Sequence, residues 1–159
     1  MKLLIIIPAY NEAENIERVV NNLIENYSQY DYVIVNDGST DDTRKICAKN
    51  NYNFLDLPVN VGLAGAIRAG IRYANFHGYD CAVQLDGDGQ HDPKYISTLV
   101  QKMEESNVDI VIGSRFKNEK KPMSARMIGS RLISMAIRIT TRGRRIEDVT
   151  SGMRLFNKR

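Results

Sequence analysis

The strongest constraint on the fold is a repeated alternation of short apolar runs, polar turns and amphipathic helical stretches. Residues 2–7 form an apolar run that stops at Pro8, the pattern of a buried strand. Asn11 is then expected to start a helix, with Glu14 three residues on completing a capping box. Ile16, Val19, Val20, Leu23 and Ile24 follow helical spacing and should share one buried face. A strand is predicted at 32–35, followed by the polar segment 36–42. Ser39 or Thr40 could cap a second helix carrying Ile46 and Ala48. Further strands are expected at 53–57, 80–85 and 108–113. Between them a helix is predicted over 62–76, although Gly62, Gly65 and Gly70 each weaken a helix interior by about 1 kcal/mol. Asp92-Pro93 supplies an N-cap and a first-turn proline for a helix burying Ile96, Leu99, Val100 and Met103. Strands alternating with helices require right-handed crossovers, so an α/β fold follows, with a mostly parallel central sheet flanked by helices.

A chain of 159 residues is long enough for one domain with a sizeable core. Its 43% hydrophobic and 26% charged residues exclude a disordered or collagen-like polymer. No apolar run approaches the roughly 20 residues that span a bilayer, and residues 3–7 are too short for a signal peptide core. Cys47 and Cys81 form no metal-like pair and read as reduced, buried packing residues, which points to a cytoplasmic protein. Charge is unevenly placed. Residues 1–113 carry 9 basic and 16 acidic side chains, a balance of −7; residues 114–159 carry 13 and 3, a balance of +10. A basic tail of this kind should attract phosphates, anionic lipid headgroups or nucleic acid, or serve only as a solvated face.

In open parallel sheets, ligands bind off the carboxyl ends of the strands. The polar clusters 9–12, 37–41 and 86–92 each follow a predicted strand, so they should converge on one edge. Within Leu85-Asp86-Gly87-Asp88-Gly89-Gln90-His91, two carboxylates two residues apart could point oxygens at one hard cation, with Gln90 adding an amide oxygen. Mg2+ or Mn2+ suits such ligands and is commonly shared with substrate phosphates. The alternative is a polar turn closed by an Asx hydrogen bond. A calcium loop fails, because His91 replaces the required glycine and Ser97 the bidentate glutamate. Neither G-x-G-x-x-G nor G-x-x-x-x-G-K-[ST] occurs, which argues against a dinucleotide-binding dehydrogenase and a P-loop ATPase. His77 reads as a surface or cap residue and His91 as a neighbour of the carboxylates.

Ile7-Pro8-Ala9-Tyr10-Asn11-Glu12, the run from Val35 through Asn36, Asp37-Gly38-Ser39 and Thr40 to Thr43, Asp86-Gly87-Asp88, Gly113-Ser114-Arg115 and the run from Asp148 to Arg154 occur in that order. Together they resemble a family-two glycosyltransferase of the GT-A fold, with most similarity to the polyprenyl-phosphate branch typified by dolichyl-phosphate mannosyltransferase. The resemblance runs from residue 5 to residue 156 and implies a nucleotide-diphospho-sugar transferase fold. It also implies roles. Pro8, Tyr10, Glu12, Asp37 and the 60–65 turn with Gly62 would line the nucleoside pocket. Asp86, Asp88 and Gln90 would hold Mg2+ or Mn2+ on the diphosphate, with Asp86 also facing the donor. Arg115 would contact phosphate, and Asp148 and Arg154 fall in an acceptor-side motif. Met153 stands where the family usually has phenylalanine. Members usually continue past this point, so one glycosyltransferase domain is expected, with 1–113 as its nucleotide-sugar-binding half and 114–159 as a basic, truncated acceptor-side segment.

Cleaving a sugar–diphosphate bond leaves charge on the diphosphate, which a cation beside an arginine stabilises. A hydroxyl acceptor would also need a general base, for which Asp148 is the candidate unless it pairs with Arg144 or Arg154. A lipid phosphate acceptor would need little base help. Over 123–142, Arg131, Arg138 and Arg142 share one helical face beside Ile128, Leu132, Met135, Ala136 and Ile139. That helix could lie on an anionic membrane surface or pack on the sheet. Nucleic acid is disfavoured, since Phe116 and Phe156 are too sparse for base stacking. The expected activity is metal-dependent, inverting transfer from a UDP- or GDP-linked sugar to a polyprenyl-phosphate-type lipid at the inner membrane face. Transfer to a saccharide or glycolipid hydroxyl, and a non-catalytic nucleotide-sugar-binding module, are the alternatives.

Overall fold

A computed structural model describes residues 1–87, 89, 91–113 and 153–158. The strands are β1 (Leu3–Ala9), β2 (Asp31–Asp37), β3 (Phe54–Leu57), β4 (Cys81–Gln84), β5 (Ile110–Ile112) and β6 (Arg154–Asn157). The helices are α1 (Ile16–Asn26), α2 (Thr43–Lys49), α3 (Gly62–Phe76) and α4 (Ile96–Ser106). One six-stranded sheet has the order β3-β2-β1-β4-β6-β5. β1 pairs in parallel with β2 and β4, and β2 with β3, while β6 runs antiparallel to both β4 and β5. The expected α/β architecture is therefore present, as a mixed sheet.

The central strand explains why both faces are covered. Leu3, Ile5, Ile7 and Ala9 of β1 alternate onto a core with Ile16, Val20 and Leu23 of α1, Cys47 of α2 and Ile96, Leu99 and Met103 of α4. Leu4 and Ile6 point to the opposite core, with Val33 and Val35 of β2 and Ala66 and Ala74 of α3. Period-two alternation on a fully buried strand thus sorts one apolar run into two cores. Each large side chain so buried contributes about 1.5–3 kcal/mol. Gly70 of α3 is needed for this packing, because a Cβ there would fall 2.4 Å from Ile6 Cγ2. Its intrinsic helix cost is offset by close helix–sheet approach. Cys47 and Cys81 are buried and free, as expected, and burial pushes both thiols up to about 11.

Several local expectations need correction. Asn11 does not start a helix: it sits at φ 57° and α1 begins at Ile16, whose N-cap Asn15 makes no side-chain capping bond. The Asn11 side chain is instead committed to another loop, as described below. Ile24 is 47% exposed, just off the stripe that buries Ile16, Val19, Val20 and Leu23. In α2 the buried residues are Thr43 and Cys47, while Ala48 faces solvent. Asp92 caps a 3-10 turn at Pro93–Tyr95 that leads into α4, and Val100 is half-buried. The sheet gains an unforeseen strand, since Arg154–Asn157 inserts as β6 between β4 and β5 with Leu155 fully buried.

Candidate active site

The sheet order places the candidate site. From β1 the chain proceeds outward to β2 and β3 on one side, then crosses to β4 on the other. The loops after β1 and β4 therefore flank a topological switch point, where parallel sheets leave a crevice.

Side-chain hydrogen bonds join the β1 and β2 loops. Asn11 N donates to Ser39 Oγ at 3.0 Å, and Asn11 Oδ1 accepts from Thr40 N at 2.8 Å and Asp41 N at 3.4 Å. Glu12 N donates to Thr43 Oγ1 at 2.9 Å, and Ala13 N to Asp41 Oδ2 at 3.0 Å. Asp41 Oδ1 also accepts from Thr43 Oγ1 and Thr43 N. Burial acts to raise the Asp41 pKa, but the bonds from Thr43 and Ala13 outweigh it and hold the carboxyl below its ordinary value. These ties leave Pro8 half-buried, Tyr10 48% exposed and Glu12 half-buried, with Glu12 Oε2 accepting from Asn15 Nδ2 at 2.9 Å.

At the end of β2, Asp37 is buried and its Oδ1 accepts from Val61 N at 2.8 Å. Gly38 follows at φ +64°, and a Cβ there would lie 2.5 Å from Asn60 N. Gly62, at φ +78°, donates its N–H to Asn60 Oδ1 at 3.1 Å and opens α3. Asp37, Gly38 and the turn before α3 therefore form one wall.

On the other side of β1, Asp86 emerges from β4 with its side chain 31% exposed. Its Oδ1 accepts from Gln84 Nε2 at 2.9 Å, and its Oδ2 lies 3.2 Å from His91 Nδ1, close but outside hydrogen-bond geometry. Gln84 and His91 are both buried, and Gln84 Oε1 and His91 Nε2 have no hydrogen-bond partner among the described residues. Gly87 lets this loop meet the β1 loop: a Cβ there would lie 3.1 Å from the Pro8 carbonyl oxygen and 3.5 Å from Glu12 Cγ.

Pro8, Tyr10, Glu12, Asp37, Gly62 and Asp86 are thus placed along the carboxyl edge of β1, β2 and β4 and the start of α3. Asp88, Gln90, Arg115, Asp148 and the 123–142 stretch lie outside the described residues. No cluster of three or more His, Cys, Asp or Glu side chains occurs among the described residues. What they do offer a cation is hard oxygen: the Asp86 carboxylate and, behind it, the orphaned Gln84 carbonyl. That donor chemistry fits Mg2+ or Mn2+, which retain waters and share phosphate oxygens rather than needing a full protein cage.

The sequence reading missed Asn11, Asp41 and Thr43 as loop ties, and Gln84 behind Asp86. An amide inside the otherwise apolar 81–85 run was the available signal for Gln84. His91 sits beside the acidic loop as expected, and His77 is the C-cap of α3.

Comparison with known proteins follows the same outline. The model of glycosyl transferase family 2 matches residues 4–159. A UDP-N-acetylglucosamine–dolichyl-phosphate N-acetylglucosaminyltransferase from Methanococcus voltae is 35% identical over 97% of this chain and 68% of its own length. An undecaprenyl-phosphate mannosyltransferase from Micrococcus luteus is 33% identical over 98% of this chain and 66% of its own length. The chain thus spans about two thirds of these relatives. Among solved structures, glucosyl-3-phosphoglycerate synthase from Mycobacterium tuberculosis superposes with a TM-score of 0.72 at 20% identity, covering 98% of this chain and 56% of that one. A mannosyltransferase from Pyrobaculum calidifontis, solved with GDP-Man and Mn2+, gives 0.64 at 20% identity, covering 99% and 44%. These likenesses establish the GT-A fold.

Proposed function

The chain belongs to glycosyl transferase family 2, and from that premise we propose that it binds a nucleotide-diphosphate sugar and transfers the sugar, with inversion, to a polyprenyl-phosphate-type lipid. The observation that carries this reading is the sheet order at the switch point, which sets Asp37 on one side of β1 and Asp86 on the other. Two strand spacings separate them, about 10 Å, comparable to the reach from a nucleobase to its diphosphate.

Asp37, Glu12, Tyr10, Pro8 and the turn at Gly62 bind and orient the nucleoside. Asp37 is already fixed by the Val61 amide, so little ordering cost attends binding on that side. Asp86, Asp88 and Gln90 would hold Mg2+ or Mn2+ at the diphosphate, and the ion would supply positive charge against the negative charge that develops on the leaving diphosphate. Arg115 contacts phosphate from the basic segment and stabilises the same charge. An oxygen of the incoming lipid phosphate attacks the anomeric carbon directly while the bond from that carbon to the diphosphate breaks, and the nucleoside diphosphate leaves with the electron pair. Asp148 removes a proton only if the acceptor is a hydroxyl.

The two relatives are named for transfer to a polyprenyl phosphate, which supports the acceptor class. The neighbour with GDP-Man and Mn2+ supports the donor class and the metal. No helix among the described residues is long and apolar enough to cross a membrane. A lipid acceptor calls for association of this domain with the inner membrane face, for which the +10 balance of residues 114–159 provides attraction.

The test is to incubate the protein with labelled UDP- and GDP-sugars, Mn2+ and a polyprenyl phosphate in detergent. Label passing into the organic phase, and only with metal and lipid phosphate present, is the expected result. Donor binding without transfer would favour the binding module, and transfer only to a saccharide would favour the hydroxyl-acceptor alternative.

A further inference from the structure

We propose that Arg18 is a protein-borne cation of the diphosphate site, one that favours the metal–nucleotide complex over the bare metal. The proposal rests on the reading of Asp86 given above. Arg18 lies on α1, outside every motif used so far.

A Cβ built on Gly89 would lie 2.8 Å from Arg18 Nη1, 2.9 Å from Nη2 and 3.3 Å from Cζ. The terminal Nη1/Nη2 edge of the guanidinium therefore meets the acidic loop at Gly89. Gly89, at φ +76°, donates its N–H to the Asp86 carbonyl at 3.3 Å and so closes the turn that Asp86 opens. From the opposite side, Arg18 Nη2 donates to Asn15 Oδ1 at 3.4 Å, and Asn15 Nδ2 donates to Glu12 Oε2 at 2.9 Å. A polar track thus runs from the β1 loop along the first turn of α1 and ends on the acidic loop. Arg18 itself is solvent-exposed, and these contacts set its positive charge between the β1 loop and the loop that Asp86 opens.

A fixed positive charge here acts oppositely on the two ligands of the site. It repels an incoming divalent cation and attracts a diphosphate, whose oxygens match the guanidinium fork. Metal and nucleotide together are favoured over metal alone. A residue that merely braced the loop would move both affinities the same way.

Arg18→Gln and Arg18→Lys, both conservative on an exposed helix surface, decide between these. Mn2+ alone is titrated by the electron paramagnetic resonance signal of the free ion, and UDP and GDP by calorimetry at saturating Mn2+. The proposal expects Arg18→Gln to bind Mn2+ alone about three- to tenfold more tightly and the nucleotide about three- to tenfold more weakly. Both values should return toward wild type in Arg18→Lys. Affinities that fall together, do not change, or stay altered in Arg18→Lys overturn it while leaving the site reading intact. A wild-type protein that binds neither Mn2+ nor nucleotide overturns the site reading and this proposal with it.

Discussion

Asp86→Asn is expected to abolish metal-dependent sugar transfer while leaving the protein folded. The amide oxygen can still accept from Gln84 Nε2, whose 2.9 Å bond now reaches Asp86 Oδ1, so that bond at the strand tip is kept. What disappears is the negative charge. Loss of a group that stabilises charge in the transition state typically costs about 10²–10³ in turnover, and that is the drop expected in the lipid-phosphate assay. Metal enhancement of nucleotide binding should vanish in parallel. The side chain is partly exposed, so the thermal midpoint should move by no more than about 2 °C. Circular dichroism checks the fold, and metal-stimulated transfer persisting in this variant would remove Asp86 from the mechanism.

Gly38→Ala should be the most damaging single methyl in the described part of the molecule. Gly38 has φ +64°, a region costing an L-residue about 1–2 kcal/mol. Its Cβ would also lie 2.5 Å from Asn60 N and 2.6 Å from the Val59 carbonyl carbon, backbone atoms that cannot swing aside. Overpacking of this kind adds about 1–3 kcal/mol, giving about 2–5 kcal/mol in all and a drop of about 5–15 °C in thermal midpoint. Gly78 provides the control: its φ is +72° but a Cβ there meets nothing within 4 Å. Gly78→Ala should therefore cost only about 1–2 kcal/mol. Urea unfolding of the two variants separates strain from collision. Because relief of the collision must push residues 59–60 away from Asp37, Gly38→Ala should also weaken nucleotide binding, whereas Gly78→Ala should not. Equal destabilisation by the two would refute the close packing assigned to the Asp37 wall.

The secondary structure was legible wherever burial acts on a local pattern. The apolar run ending at Pro8 became β1, and the helix expected over 62–76 is α3 with those same bounds. Even Gly70, which weakens a helix taken alone, is explained once Ile6 is placed against it. Reading failed where a residue's partner is distant in sequence. Asn11 carries a good helix-start signature, yet its side chain bonds Thr40 and Asp41 in the loop after β2, and α1 begins five residues later. Arg154 was legible as the last residue of a motif, but 154–157 were not legible as a strand, because a four-residue stretch has too little periodicity to declare itself before β4 and β5 flank it. For the candidate site, the residue types and their placement after strands could be read directly. The polar scaffold behind them could not: Gln84 under Asp86, Val61 on Asp37 and Arg18 over Gly89 are juxtapositions made by the sheet order.

The central claim is that a divalent cation at Asp86 grips the diphosphate of an activated sugar whose nucleoside rests near Asp37. Calorimetric titration of UDP and GDP into the wild-type protein, with and without Mn2+, tests it most directly. One of the two nucleotides should bind, and Mn2+ should tighten that binding by at least about tenfold, roughly 1.4 kcal/mol. Affinity indifferent to the metal, or no binding of either nucleotide, contradicts the claim.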